Sequence, residues 1–284
     1  MISNSPVLNS PQPEPQTIDG ADAMFTLCVN AKWLVGERYR EGLKALIAEC
    51  SDHRDVDVIQ HILQSLRYCT SADIDVAAGI AADVIQNQWK LSPADTLLVG
   101  VAEPNKTCGS QLYVRALEVQ LPIAWGNCIY PNFVSAFKFR NGKANLVIVD
   151  DFIGTGKKVG DRIERLRNNP KTSSFNIYVV AFAGMDEGLT KIANDVNNNI
   201  EAYIILEKCL STLQPKTKAD EFRNLMQTLE ANFFDKPGAF SSGFGNSEAS
   251  FYLEGANIPN NTFPILWWEK YKDDSKRSTL FRRR

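Results

Sequence analysis

Residues 145–166, NLVIVDDFIGTGKKVGDRIERL, decide how the rest of this chain is read. Residues 146–149 are a short apolar run rich in β-branched side chains, the pattern of a strand covered on both faces, and it gives way abruptly to Asp150 and Asp151. Gly154 and Gly156 bracket Thr155, so the backbone can turn sharply and approach a ligand, and a helical pattern over 159–166 follows at once. The start of that helix faces the loop. Its unpaired N–H groups and positive dipole end suit a phosphate, with Thr155 as a hydroxyl donor and Lys157 or Lys158 as a positive charge. Two carboxylates ahead of such a cradle suit a phosphorylated sugar, whose vicinal hydroxyls they accept from. The plain alternative is a structural strand-to-helix turn whose acids only cap the helix.

The segment DDFIGTG (150–156) resembles the ribose 5-phosphate loop of type I phosphoribosyltransferases: two acids, two mostly apolar residues, then a Thr/Gly-rich turn. The resemblance implies that Asp150 and Asp151 contact the ribose hydroxyls. It implies too that Gly154, Thr155, Gly156, Lys157 and Lys158 hold the 5-phosphate of phosphoribosyl pyrophosphate (PRPP). Lys157 and Lys158 stand where the family commonly has Gly and Thr.

At 284 residues, 44% hydrophobic and 23% charged, the chain is long enough to bury a substantial core. A net charge of -2 gives no global electrostatic argument for nucleic acid. The six cysteines, Cys28, Cys50, Cys69, Cys108, Cys128 and Cys209, show no CxxC spacing and no secretory leader precedes them; reduced thiols and a cytoplasmic location are expected. With only His53 and His61, there is little material for a histidine-based metal site or triad. No apolar run approaches the roughly 20 residues of a membrane span, so no membrane partner is expected.

Taken in order, residues 1–20 read as a flexible tail and 21–92 as a helical N-terminal extension, with helical patterns over about 31–50, 56–68 and 72–89. The α/β core is expected over 93–210. It opens with the strand TLLVGV (96–101) and a loop containing Lys106 and Gly109. In phosphoribosyltransferases this is the place of the pyrophosphate loop; the match is positional, and an ordinary connection reads equally well. Ser110 is a candidate helix cap. Residues 121–125 are expected as the second strand. Alternation over 136–140 reads as a half-exposed strand, while position in the family makes Lys138 and Arg140 candidates to neutralise a leaving pyrophosphate. Strands at 175–184 and 202–206, with a helix between them, complete the alternation that predicts a doubly wound, mainly parallel sheet. Ligands of such sheets bind beyond the carboxyl ends of the strands.

Residues 211–270 form the last helix and an irregular hood, GAFSSGFGNSEASFYLEGANIPNNTFPILWW (238–268), and 271–284 a basic tail ending in Arg282, Arg283 and Arg284. The tail reads as solvated, or as a contact for RNA, DNA or an acidic partner. The Gly-Phe-Gly turn and the PNNT-Pro-Leu-Trp motif resemble the C-terminal signature of a divergent phosphoribosyltransferase-like family of bacterial conflict and defence systems, including some retron-associated effectors. That resemblance implies a hood in which Asn257, Asn260, Asn261 and Thr262 cover the site. It implies PRPP as ligand, magnesium carried with it, phosphoribosyl transfer if the chain is an enzyme, and defence-system partner proteins, or nucleic acid through them. The alternative is an inactive sensor or assembly module of the same fold. An irregular loop merely closed by its asparagines and prolines against Trp267 and Trp268 is the structural alternative for the hood.

Overall fold

The computed structural model describes residues 25, 31–34, 37–102, 109–233 and 238–283. Two helices come first, α1 (Glu37–Ala48) and α2 (His53–Ser65), the second capped by Asp52, whose carboxylate accepts from the N–H groups of Arg54 and Asp55. A short strand β1 (Arg67–Cys69) leads into α3 (Ser71–Asp83), which Thr70 and Asp73 start with a reciprocal capping box. The strands that follow are β2 (Thr96–Gly100), β3 (Ile129–Tyr130), β4 (Asn145–Ile153), β5 (Asn176–Met185) and β6 (Ile200–Leu206). Between them run α4 (Gly109–Gln120), α5 (Phe133–Ala136), α6 (Lys157–Arg167) and α7 (Asp186–Asp195). After β6 come α8 (Lys216–Glu230) and β7 (Phe251–Leu253), which pairs with β1.

All pairings in the main sheet are parallel, in the order β3-β2-β4-β5-β6. Its two faces bury separate apolar layers. Leu98, Val147, Val149, Val180 and Phe182 pack under α3 and α4, whereas Leu97, Val99, Leu146, Ile148 and Val179 pack under α6 and α7. This is the doubly wound α/β sheet expected from the alternation of elements. The order also fixes where a ligand would sit. From β2 the chain crosses over α4 to one edge, and from β4 it continues through α6 in the other direction, so a crevice opens beyond the carboxyl ends of β2 and β4.

Three local expectations are corrected. The second strand is not 121–125: Pro122 has no N–H to give a ladder, and residues 123–128 turn as a 3-10 helix before the two-residue edge strand β3. The alternation over 136–140 belongs to the end of α5 and a 3-10 turn, because Asn132 caps a helix by accepting from the N–H of Ser135. The central strand does not end at the acids. It runs through Asp150, opposite Ala181, to Ile153, opposite Gly184.

A further apolar core joins distant parts of the chain: α1 and α2, Phe222, Met226 and Leu229 of α8, Ile258 to Trp267 of the hood, and Leu280 and Phe281 near the C-terminus. Trp33 stacks on Tyr68 and on Phe281, with ring centroids 5.3 and 5.5 Å away. His61 lies on Phe222 and its Nε2 is 3.1 Å from the Cys209 carbonyl, a packing role. Cys50, Cys69, Cys128 and Cys209 are unbridged. Among the described residues no helix is long and apolar enough to cross a membrane.

Glu230, at the end of α8, is buried; its Oε2 accepts from the Ser241 hydroxyl and the Ser242 N–H. Burial pushes its pKa up to about 7. Between the ordinary carboxylate range and about 7 the folded protein keeps a proton that the unfolded chain has released, so stability falls as pH rises through that window. Glu230→Gln is expected to flatten this fall and to be the more stable protein at pH 8, by about 1–2 kcal/mol. Melting temperatures of both proteins at pH 5.5 and pH 8 check it; parallel pH dependences would contradict it.

Candidate functional site

Beyond the carboxyl ends of β2 and β4 lies a cleft of about 560 Å³. Asp150, Asp151, Gly154, Thr155, Gly156, Lys157 and Lys158 line it, together with Gly109, Asn260 and Asn261, so ten of the residues singled out in the sequence meet in one place. Lys106 lies outside the described residues.

The floor is built by β4. Asp150 is 1% exposed, and Lys158 Nζ donates to both its carboxylate oxygens, at 3.0 and 3.3 Å. Asp150 Oδ1 also accepts from the N–H of Asp151 at 3.1 Å. Burial, then the neighbouring charge of Asp150, raise the Asp151 carboxyl well above the usual carboxylate range, with Lys158 pulling the other way. Asp151 abuts the first residue of α4: a methyl group on Gly109 would fall 2.0 Å from its Oδ2, which explains a glycine at that position.

The loop then turns on Gly156, in the left-handed region at φ 71°, and α6 begins at Lys157. The first turn of the helix leaves backbone N–H groups without intrahelical acceptors, and its residues Lys157, Lys158 and Val159 line the cleft. Thr155 Oγ1 accepts from the Lys157 N–H at 3.4 Å, leaving its own proton to donate. Lys157 Nζ is paired with Asp161 at 2.9 Å on the helix surface.

The roof is the hood, zipped from two loops. Phe244 N–H donates to the Asn260 carbonyl at 2.8 Å, and Asn261 Nδ2 donates to the Phe244 carbonyl at 3.1 Å and to Ser247 Oγ at 3.2 Å. Gly243, at φ 85°, is pressed against the Asn261 carbonyl. A methyl group on Gly154 would meet the Asn261 side chain at 2.1 Å, so the roof rests directly on the loop below. Asn257 lines the cleft as well. Thr262 does not: it is wholly buried, its hydroxyl donates to the Phe251 carbonyl and its carbonyl accepts from the Trp267 indole. Trp267 and Trp268 are in contact, with ring centroids 5.4 Å apart.

Lys138 and Arg140 are not among the cleft's lining residues; the Arg140 guanidinium donates to the Phe137 carbonyl at 2.5 Å. Arg162, Arg165 and Arg283 line the cleft; the first two were not singled out from the sequence, and Arg283 was named only as part of the basic tail. For the first two a signal existed: Lys158, Arg162 and Arg165 fall at helical spacing on one face of α6. For Arg283 the basic run was visible, but nothing local placed it at the cleft. Its guanidinium lies over Trp267, 5.0 Å from the ring centroid, and donates to the Ile258 carbonyl at 2.8 Å, which brings the basic tail onto the roof.

Magnesium, which the resemblance implies, can be tested against this donor set. Among the described residues no three His, Cys, Asp or Glu side chains converge to hold a metal, and the better buried acid is already ion-paired with Lys158. Among the described residues the cleft therefore offers a divalent ion no all-protein cage, and an ion there would share Asp150 with the Lys158 ammonium.

The cleft brings together an acid pair, a glycine turn at a helix start and a roof of asparagines, in that chain order. Among curated proteins none matches the chain. A solved structure similar to it is the AQ2163 protein from Aquifex aeolicus, at 13% identity, covering 55% of this chain and 84% of that one, with a TM-score of 0.34. The family model PRTase-CE matches residues 49–283, from the end of α1 through the sheet, cleft and hood to Arg283, and the chain therefore belongs to this phosphoribosyltransferase-like family.

Proposed function

We propose that the cleft binds PRPP or a related ribose 5-phosphate ligand, in an effector of a bacterial defence system. The observation that carries this reading is the placement of Asp150 and Asp151 directly before a helix start opened by Gly156, in one crevice at the sheet's switch point. The N–H groups of the α6 first turn and the Thr155 hydroxyl hold the 5-phosphate, and the acids accept from the ribose hydroxyls. Binding energy from the phosphate then fixes the anomeric carbon. In a transfer reaction, an acceptor's lone pair forms a bond to that carbon while its bond to pyrophosphate breaks, the electron pair leaving with the pyrophosphate through an oxocarbenium-like state. Magnesium, where it takes part, would arrive with the pyrophosphate of the ligand and offset its charge. Partner proteins, or nucleic acid through them, would supply the activating signal.

A second reading, an inactive sensor or assembly module, is favoured by one observation: the Lys158 ammonium already occupies Asp150. Calorimetric titration of PRPP with magnesium into wild type and an Asp150→Asn/Asp151→Asn variant tests the ligand, and pyrophosphate release on the same samples separates the two readings. Saturable binding, weakened at least about tenfold in the variant, is expected. A folded wild-type protein that binds no PRPP would defeat the proposal.

A further inference from the structure

We propose that Lys158 is the cleft's built-in counter-ion, so that a sugar phosphate binds over the acid pair without a divalent cation there. The inference rests on the sugar-phosphate reading above and concerns how that site handles its charge.

Two carboxylates in adjacent positions, one of them almost wholly buried, repel each other and any anionic ligand. A site of this kind needs a cation to hold them. Here the chain supplies it. Lys158 Nζ reaches back from the second residue of α6 to both oxygens of Asp150, a two-point contact that leaves a metal ion to compete with a covalently tethered ammonium at 3.0 and 3.3 Å. The same side chain is 53% exposed, so its desolvation is small while the Asp150 carboxyl it neutralises is 1% exposed. Asp151, next to it, is held toward its neutral form by burial, which lowers the charge that a cation would have to balance.

The position of Lys158 serves the ligand too. Being in the first turn of α6, it places its charge between the acids and the helix start that would take the phosphate. One ammonium can thus attract the phosphate and shield it from Asp150 at the same time. A divalent ion at the acid pair would instead have to displace Lys158.

Calorimetric titration of ribose 5-phosphate, which has no pyrophosphate to bring a metal with it, is run in EDTA and in magnesium. Wild-type affinity is expected to agree between the two buffers within about threefold, whereas Lys158→Met is expected to bind at least about tenfold more weakly in EDTA and to recover part of that loss in magnesium. Lys158→Arg, which keeps the charge, is expected to stay independent of magnesium and guards against a Met variant that fails to fold. Wild-type binding that appears only with magnesium would overturn this inference and leave the sugar-phosphate reading standing. Absence of binding in both buffers by the folded protein would overturn that reading, and the inference with it.

Discussion

Arg277→Met is expected to cost about 3–5 kcal/mol of stability and to lower the melting temperature by on the order of 10 °C. The Arg277 side chain is fully buried, six residues before the arginine that roofs the cleft. Its Nε donates to Glu49 Oε1 at 2.5 Å and its Nη2 to Glu49 Oε2 at 2.8 Å, a two-pronged pair across 228 residues of sequence. Two further donors go to the carbonyls of Ile265 and Trp268, at 2.8 and 3.1 Å, and the guanidinium lies 4.6 Å from the Phe233 ring centroid. Methionine fills much of the volume but leaves Glu49, almost as buried, with the Tyr271 hydroxyl and no counter-charge. The large term is that stranded charge, more than the lost attraction. It follows that Glu49→Leu/Arg277→Met should recover much of the loss, giving a favourable coupling when the two singles and the double are compared by thermal unfolding. Single variants within about 1 kcal/mol of wild type would show that the pair does not hold the tail.

What the sequence discloses about this fold depends on how local the deciding interaction is. β2, β4 and β5 are legible because each buries both faces and so reads as an unbroken apolar run bounded by turns. The loop at Gly154–Gly156 is legible because its chemistry is consecutive: acids, glycines and a helix start within nine residues, 150–158. β3 is not, because two residues on a sheet edge carry no period, and the apolar 121–125 before it is shaped by Pro122. The continuation of β4 through Asp150 is hidden for a different reason. Charged residues ordinarily end a buried strand, and here the ladder to Ala181 and the ion pair with Lys158 sustain it. The tail misleads most. Read alone, Arg282, Arg283 and Arg284 are a solvated basic end, yet Leu280 and Phe281 sink into the core beside Trp33 and so carry Arg283 onto Trp267. That outcome is decided by contacts 15 to more than two hundred positions away, with Leu266, Tyr252, Ile258 and Trp33 among them, which no local window of sequence contains.

Gly188→Ala is expected to destabilise the protein and to weaken ribose 5-phosphate binding roughly 100-fold, although the position is helical. Helix propensity alone predicts the opposite, a gain of up to about 1 kcal/mol from alanine in α7. Space decides the sign. A Cβ on Gly188 would lie 1.9 Å from the Gly154 carbonyl oxygen, 2.9 Å from its carbon and 3.0 Å from the Gly156 nitrogen, all backbone atoms that no rotamer change can clear. The reverse contact is as tight, since a Cβ on Gly156 would lie 2.9 Å from the Gly188 carbonyl oxygen. The start of α7 is therefore the backing against which the loop at Gly154–Gly156, proposed above to hold the phosphate, is formed. Overpacking of this kind costs about 1–3 kcal/mol, enough to offset the propensity gain. The binding loss is the larger effect because the strain falls on the loop itself. Gly154 already lies against Asn261, so shifting it turns the N–H groups that follow off the proposed phosphate, and losing two charge-assisted hydrogen bonds at about 1.5 kcal/mol each gives the 100-fold. Gly160→Ala is the control, a mid-helix glycine of α6 whose nearest neighbours to a Cβ are at 3.7 and 3.9 Å; it is expected to gain stability and to bind as wild type does. Thermal unfolding and ribose 5-phosphate titration of the two variants side by side decide the matter. If Gly188→Ala binds as tightly as Gly160→Ala, the loop is held by something other than α7, and the direct backing seen between Gly154 and Gly188 has no part in shaping the site.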